Sequence, residues 1–290
     1  MTPILETARL GLAYPGFDLR DIDLSLAPGS ILALIGPSGA GKTTLMKLIM
    51  GQVPPSSGQL KVAGLSHPVD LKEIRSRIGY VGEDPPFMPN KRVGEIIRFA
   101  APYYSRWDSA RFNDLLREFD IDHRQKVQNL SRGRKSLLSL ALALSHEADL
   151  LLLDEPTAGI DAHRRRQVLR LMAEHVADGT RSAMIATHQT DGLAPLADRL
   201  AILHRGRIVF EGETEEILAS WKWLRYRDGA VSRELEEALV SRESGAFGNR
   251  GLIRTYPEVQ ADLEGARAAG DLQVGNASID DILISLTGGE

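Results

Sequence analysis

ILALIGPSGAGKTT, residues 31–44, runs from a short apolar stretch through a glycine-rich turn into helix-favouring residues that continue as KTTLMKLIM from Lys42. The order reads strand, loop, helix. Within it Gly36, Gly41, Lys42 and Thr43 match GxxxxGK[ST] in the strand-to-helix context the pattern requires. Glycines suit such a loop because the backbone must wrap a triphosphate closely with successive N–H groups turned inward, and side chains would obstruct the approach. The helix that follows presents unpaired amides to the same anion. Gly36, Pro37, Ser38, Gly39, Ala40, Gly41, Lys42, Thr43 and Thr44 are therefore expected to bind nucleotide. Lys42 is expected at the β and γ phosphates and the Thr43 hydroxyl on Mg²⁺. Alone, this cradle serves kinases, GTPases and motor ATPases equally.

Downstream, ADLLLLDEPTAGID (148–161) contains four leucines that read as a buried parallel strand ending in two carboxylates. Burying adjacent acids is costly without a cation. At the carboxyl end of a central strand, beside a phosphate loop, Asp154 is expected to hold Mg²⁺ through water. Glu155 is expected to face the γ-phosphate and to orient and deprotonate the attacking water. A further strand, AMIAT (183–187), ends at His188. Three strand ends then converge on one ligand, and the imidazole is placed to donate to the γ-phosphate as charge develops. Lys42, Glu155 and His188 form the expected catalytic set. No NKxD guanine motif is present, since PNKRV (89–93) lacks the acid.

The background is that of a globular protein: 290 residues, 43% hydrophobic and 26% charged, with a formal net charge of -4. This charge gives no general pull toward nucleic acid or anionic lipid, and no nucleic-acid partner is expected. Cysteine is absent, which excludes disulfides and cysteine-ligated metals. No run approaches the roughly 18 apolar residues of a spanning helix. The opening MTPILETARL lacks the basic-then-apolar pattern of a secretory signal, so residence in the cytoplasm is expected. HRRRQVLR (163–170) reads as a solvated helix face, with a partner contact as the alternative.

Between the cradle and the acidic strand, residues of about 84–148 read mainly as helix, and at their end stands LSRGRKS (130–136). In isolation this is a capped helix start. Ahead of LLLLDEP, however, Leu130, Ser131 and Gly133 match the LSGGQ-type signature, and the chain from about residue 4 to 215 resembles the ATP-binding cassette (ABC) ATPases. Tyr14 resembles the aromatic that stacks on adenine, 36–44 the Walker A, Glu83 in IGYVGEDPPF (78–87) the Q-loop place, 150–155 the Walker B, AGID with Asp161 the D-loop and His188 the switch histidine.

The resemblance implies an α/β fold, a P-loop NTPase core with an antiparallel β subdomain and an α-helical subdomain, plus a small C-terminal extension. The implied domains are 1–215 for the cassette, with the helical subdomain at about 84–148, and 216–290 for the extension. It also implies two cassettes head to tail, each ATP held between the Walker motifs of one and Ser131, Arg132, Gly133 and Asp161 of the other. Both halves of the composite site are present, which favours a homodimer over a heterodimer. The helical subdomain and Q-loop would dock a separate integral-membrane permease, with the cassette peripheral on the inner face of the membrane. Two positions depart from the family pattern. Glu83 stands for the usual glutamine, able to ligate Mg²⁺ but not to donate to water, and Arg132 stands for the signature's first glycine. Both variants resemble a bacterial exporter-type branch. A soluble cassette acting on nucleic acid or ribosomes is the alternative, disfavoured by the lack of zinc-binding cysteines and coiled-coil insertions. A purely sensory cassette is disfavoured by Glu155 and His188. In the tail, WKWLRYRDG (221–229) reads as packed against the core, with a membrane-surface or partner contact as the alternative, and ASIDDILISLTGG (277–289) resembles the closing helix of many exporter ATPase subunits.

Overall fold

The computed structural model describes residues 2–245 and 248–288 and divides into two compact units, Met1–Phe210 and Glu211–Glu290. In chain order the first contains β1 (Leu5–Tyr14), β2 (Phe17–Leu26), β3 (Ile31–Ile35), α1 (Lys42–Ile49), β4 (Ser57–Val62), β5 (Leu65–Ser66), α2 (Leu71–Arg77), β6 (Ile78–Val81) and α3 (Val93–Ala100). It continues with α4 (Ser109–Glu118), α5 (Arg132–Leu144), β7 (Leu150–Asp154), α6 (Ala162–Val176), β8 (Ser182–Thr187) and β9 (Arg199–His204), and β10 (Arg207–Glu213) runs on into the second.

Every residue of β3, β7 and β8 is buried. That is why these strands are apolar or small up to their last residues, Asp154 closing β7 and Thr187 closing β8, rather than alternating: a parallel sheet covered on both faces has no solvent side. The sheet order is β10-β9-β3-β8-β7-β6, with β3 parallel to β8 and β9, and β7 parallel to β8 and β6. The register sets Ile35 beside Thr187 and Asp154 beside Ala186. Three carboxyl ends thus open side by side, the position at which open α/β sheets bind ligands. The apolar side chains of α1 (Leu45, Met46, Leu48 and Ile49) join Leu32, Leu34, Leu150, Leu152 and Met184 in one core. A second, antiparallel sheet, β2-β1-β4-β5, shares that core through Leu10, Ile22 and Leu26.

The 84–148 stretch contributes α3, α4 and α5. Asp108 caps α4 by accepting from the Ala110 and Arg111 amides, and Phe112, Leu115 and Leu116 form its buried side. Three of the four arginines of HRRRQVLR, Arg164, Arg165 and Arg170, are paired within the chain. Arg164 donates to the Phe119 carbonyl at 3.1 Å, Arg165 meets Asp191 at 3.4 Å, and Arg170 pairs with Glu118 and Glu174.

The second unit contains α7 (Thr214–Ser220), β11 (Lys222–Tyr226), α8 (Arg233–Ala238), β12 (Ser241–Gly245), β13 (Gly248–Ile253), α9 (Tyr256–Ala268), β14 (Leu272–Asn276) and α10 (Ile279–Thr287). Its sheet, β12-β13-β11-β14, is antiparallel. Leu224 and Tyr226 of WKWLRYRDG are buried with Ile253, Tyr256, Leu263 and Leu272 in a core of its own, so this segment packs inward. The closing helix α10 starts with a capping box of Ser278 and Asp281; Gly289 lies outside the described residues. No described helix is long and apolar enough to cross a membrane.

Candidate active site

The loop between β3 and α1 forms one wall of a cavity of about 250 Å³ lined by Phe17, Ser38, Gly39, Gly41, Lys42, Thr43, Thr44, Glu83, Asp154 and Glu155. Gly41 adopts φ 112° at the start of α1, and a Cβ there would meet Phe17 Cζ at 2.6 Å and Leu19 Cδ2 at 2.8 Å. Only glycine fits both the backbone and the space. Gly36 and Pro37 take part through their carbonyls, which accept from Lys42 Nζ at 2.7 and 3.2 Å. Ala40 is turned away: it is buried, donates to the Pro37 carbonyl and accepts from the Gly206 amide.

Thr43 Oγ1 donates to Asp154 Oδ2 at 2.6 Å, joining the head of α1 to the end of β7. Burial is the main cause that raises the Asp154 pKa, with Glu155 and Glu83 adding to it and Thr43 and Lys42 opposing. Lys42 is likewise buried, and desolvation pushes its ammonium down against the pull of Glu155, Asp154 and Glu83. A threonine hydroxyl and carboxylates in one concavity form a hard-oxygen donor set suited to Mg²⁺, which takes few protein ligands and completes its shell with water and phosphate.

Glu155 makes three polar contacts. Thr187 Oγ1 donates to Oε2 at 2.8 Å, the His188 amide donates to Oε1 at 3.0 Å, and His188 Nδ1 lies 2.7 Å from Oε1. Lys42 Nζ stands 3.9 Å from the same oxygen. The Glu155 backbone is left-handed, φ 50°, while its amide donates to the Ala186 carbonyl at 2.8 Å. Such a conformation costs roughly 1–2 kcal/mol in a residue with a Cβ, and it turns the chain off the end of β7 so that the carboxylate points toward β8. The His188 side chain is half exposed, so one face of the imidazole remains open to a ligand.

The structure thus brings together Ser38, Gly39, Gly41 to Thr44, Glu83, Asp154 and Glu155, with His188 on Glu155, and leaves Ala40 out. It does not bring Tyr14, Ser131, Gly133 or Asp161 to the cavity. Ser131 caps α5 by accepting from the Arg134 amide at 3.3 Å, and Asp161 caps α6 by accepting from the Arg164 amide at 2.9 Å. Arg132 reaches Glu83. Two contributors escaped the sequence reading. Phe17 lies across the hairpin from Tyr14 and lines the cavity, whereas Tyr14 is 43% exposed; the signal was the hairpin YPGF, which sets two aromatics opposite each other. Thr187 was visible only as a lone polar residue closing an apolar strand.

Residues 19–158 match the family model described as ABC transporter. The chain is 32% identical over 226 residues to the Fe(3+) ions import ATP-binding protein FbpC 2 of Rhodococcus jostii, covering 76% of this chain and 65% of that protein. It therefore spans just under two thirds of that relative's length. To the ABC transporter ATP-binding protein YtrB of Bacillus subtilis it is 30% identical over 218 residues, 74% of this chain and 73% of the relative. A solved ATP binding subunit of an ABC transporter superposes with a TM-score of 0.69 at 28% identity, covering 74% of this chain and 92% of that one. The P-loop sheet, the ordered motifs at its carboxyl edge and these likenesses agree, and the chain belongs to the ATP-binding cassette family of ABC transporters.

Proposed function

We propose that this chain binds and hydrolyses ATP and that hydrolysis drives a separate integral-membrane permease, on whose cytoplasmic face it sits. The supporting observation is the Glu155 carboxylate, fastened by Thr187 and His188 and 3.9 Å from Lys42. A rigidly held base beside a phosphate cradle is what water activation requires. Lys42 and the amides of α1 bind the triphosphate. His188 donates to the γ-phosphate, while Glu155 takes the proton of the attacking water. Thr43, Asp154 through water, and Glu83 would hold Mg²⁺, which supplies charge neutralisation across the β and γ phosphates.

Ser131 and Gly133 at the head of α5, with Asp161, lie away from this cavity in their own chain. Their role is to close the site of a second copy, so the working unit is a head-to-tail dimer, most simply of two identical chains. Tyr14, exposed and paired across the hairpin with Phe17 of the cavity wall, is assigned to stack on the adenine where it extends beyond the phosphate cradle. Export is the direction we assign, on the likeness of Glu83 and Arg132 to variants of an exporter-type branch; the iron relative's name says import. Detergent extraction of membranes is expected to co-purify the chain with a polytopic membrane protein and with ATP-dependent phosphate release. Recovery only with ribosomes or nucleic acid would replace the permease with a soluble target. ATP-driven uptake of the permease's cargo into inside-out vesicles checks the direction.

A further inference from the structure

The two departures from the family pattern are each other's partners. Glu83 and Arg132 are 49 residues apart in sequence, yet Arg132 Nη2 donates to Glu83 Oε1 at 2.6 Å. Glu83 is also part of the cavity wall, and its charge acts on both Lys42 and Asp154 there. The lining therefore carries the carboxylates of Glu83, Asp154 and Glu155 against the single ammonium of Lys42. A triphosphate entering such a site meets a repulsion that a glutamine at 83 would not add. Arg132 is the cation positioned to offset it.

We propose that Arg132 is a positioning residue for the nucleotide site of its own chain, neutralising Glu83 and holding that carboxylate toward the head of α5. The inference rests on the ATP reading above and gives Arg132 a role distinct from that of Ser131 and Gly133, which face the partner's nucleotide. The two side chains are 56% and 51% exposed, so the effect is of surface-pair size: about two- to fivefold in affinity at low ionic strength, shrinking as salt screens the pair.

The test is a titration of the full chain with a fluorescent ATP analogue in EDTA, at a protein concentration where sedimentation shows a monomer. Under those conditions only residues of the same chain contribute. Wild-type protein that binds no nucleotide either in EDTA or with Mg²⁺ would remove the ATP reading itself. Given wild-type binding, Arg132→Ala is expected to weaken affinity two- to fivefold at low salt. In a Glu83→Gln background the same change should do nothing, and the double variant should bind as tightly as wild type or better, which also shows that it folds. Equal weakening in both backgrounds would mean that Arg132 touches the nucleotide directly. Unchanged affinity in EDTA, with loss only of ATP-induced dimerisation, would mean that it serves the partner's site. Either result overturns the proposal.

Discussion

At the scale of single residues, the proposed chemistry depends on how firmly Glu155 is held. Replacing it by glutamine keeps the shape and one accepting oxygen for His188, turns the oxygen that accepts from Thr187 into an NH2 that can only donate, and removes the base. Phosphate release is expected to fall by about 10²-fold or more, with ATP affinity within a few-fold of wild type and an ATP-held dimer accumulating on gel filtration; ordinary turnover would strip Glu155 of its role. Lys42→Ala is expected instead to weaken nucleotide binding itself, by about tenfold or more in the same titration, because Lys42 is the only cation among the described residues that line the cavity. Two buried histidines outside the site set the acid limit. His146, stacked on Tyr104 at 4.1 Å, and His175 are both pushed down to about 4, chiefly by burial. Each binds fewer protons folded than unfolded between about pH 4 and 6.5. Their stability is complete above that window and is lost as pH falls through it, on the order of 2 kcal/mol per histidine from pH 7.5 to 5. Urea melts across that range check this, and His146→Phe, which keeps a ring on Tyr104, should flatten the slope.

At the scale of elements, α5 is the piece whose placement matters most. Its first turn rests on the loop ahead of α6: a Cβ on Gly133 would meet Ile160 Cγ2 at 2.6 Å and the Gly159 carbonyl at 3.1 Å. The glycine is therefore a packing requirement within the chain as well as part of the signature. Gly133→Ala is expected to force the head of α5 away from residues 159–160, costing about 1–3 kcal/mol and lowering ATPase activity beyond the loss of stability. A thermal melt unchanged from wild type would show that Ile160 yields freely. The β1–β2 hairpin makes a similar point. Spacing from the cradle singled out Tyr14, while the antiparallel register and the bare Gly41 surface made Phe17 the aromatic of the cavity wall.

At the scale of the whole molecule, a site split between two chains has a consequence that no single-chain site shares. A Ser131→Ala chain and a Lys42→Ala chain should each be nearly inactive alone. Mixed, they should regain a measurable part of wild-type turnover, because a mixed dimer pairs the intact cradle of one chain with the intact signature of the other. A mixture as inactive as its components, despite mixed dimers seen by mass spectrometry, would count against the composite arrangement. The second unit has its own apolar core around Leu224, Tyr256 and Leu263.

From the amino acids in order, the cradle, the acidic strand end, the histidine after AMIAT and the signature were all readable. Each is a short run whose composition is dictated by one ligand or one turn, and short runs keep their meaning without their surroundings. Tertiary structure alone decided what joins them: Thr43 to Asp154, Thr187 to Glu155, Gly133 to Ile160 and Arg132 to Glu83. Those contacts depend on which strands become neighbours in the parallel sheet and on where the helical stretch is set down, and both are settled by burial of apolar surface across the whole core. Glu83 and Arg132 looked like two unrelated exceptions until the fold put their opposite charges within a hydrogen bond of each other.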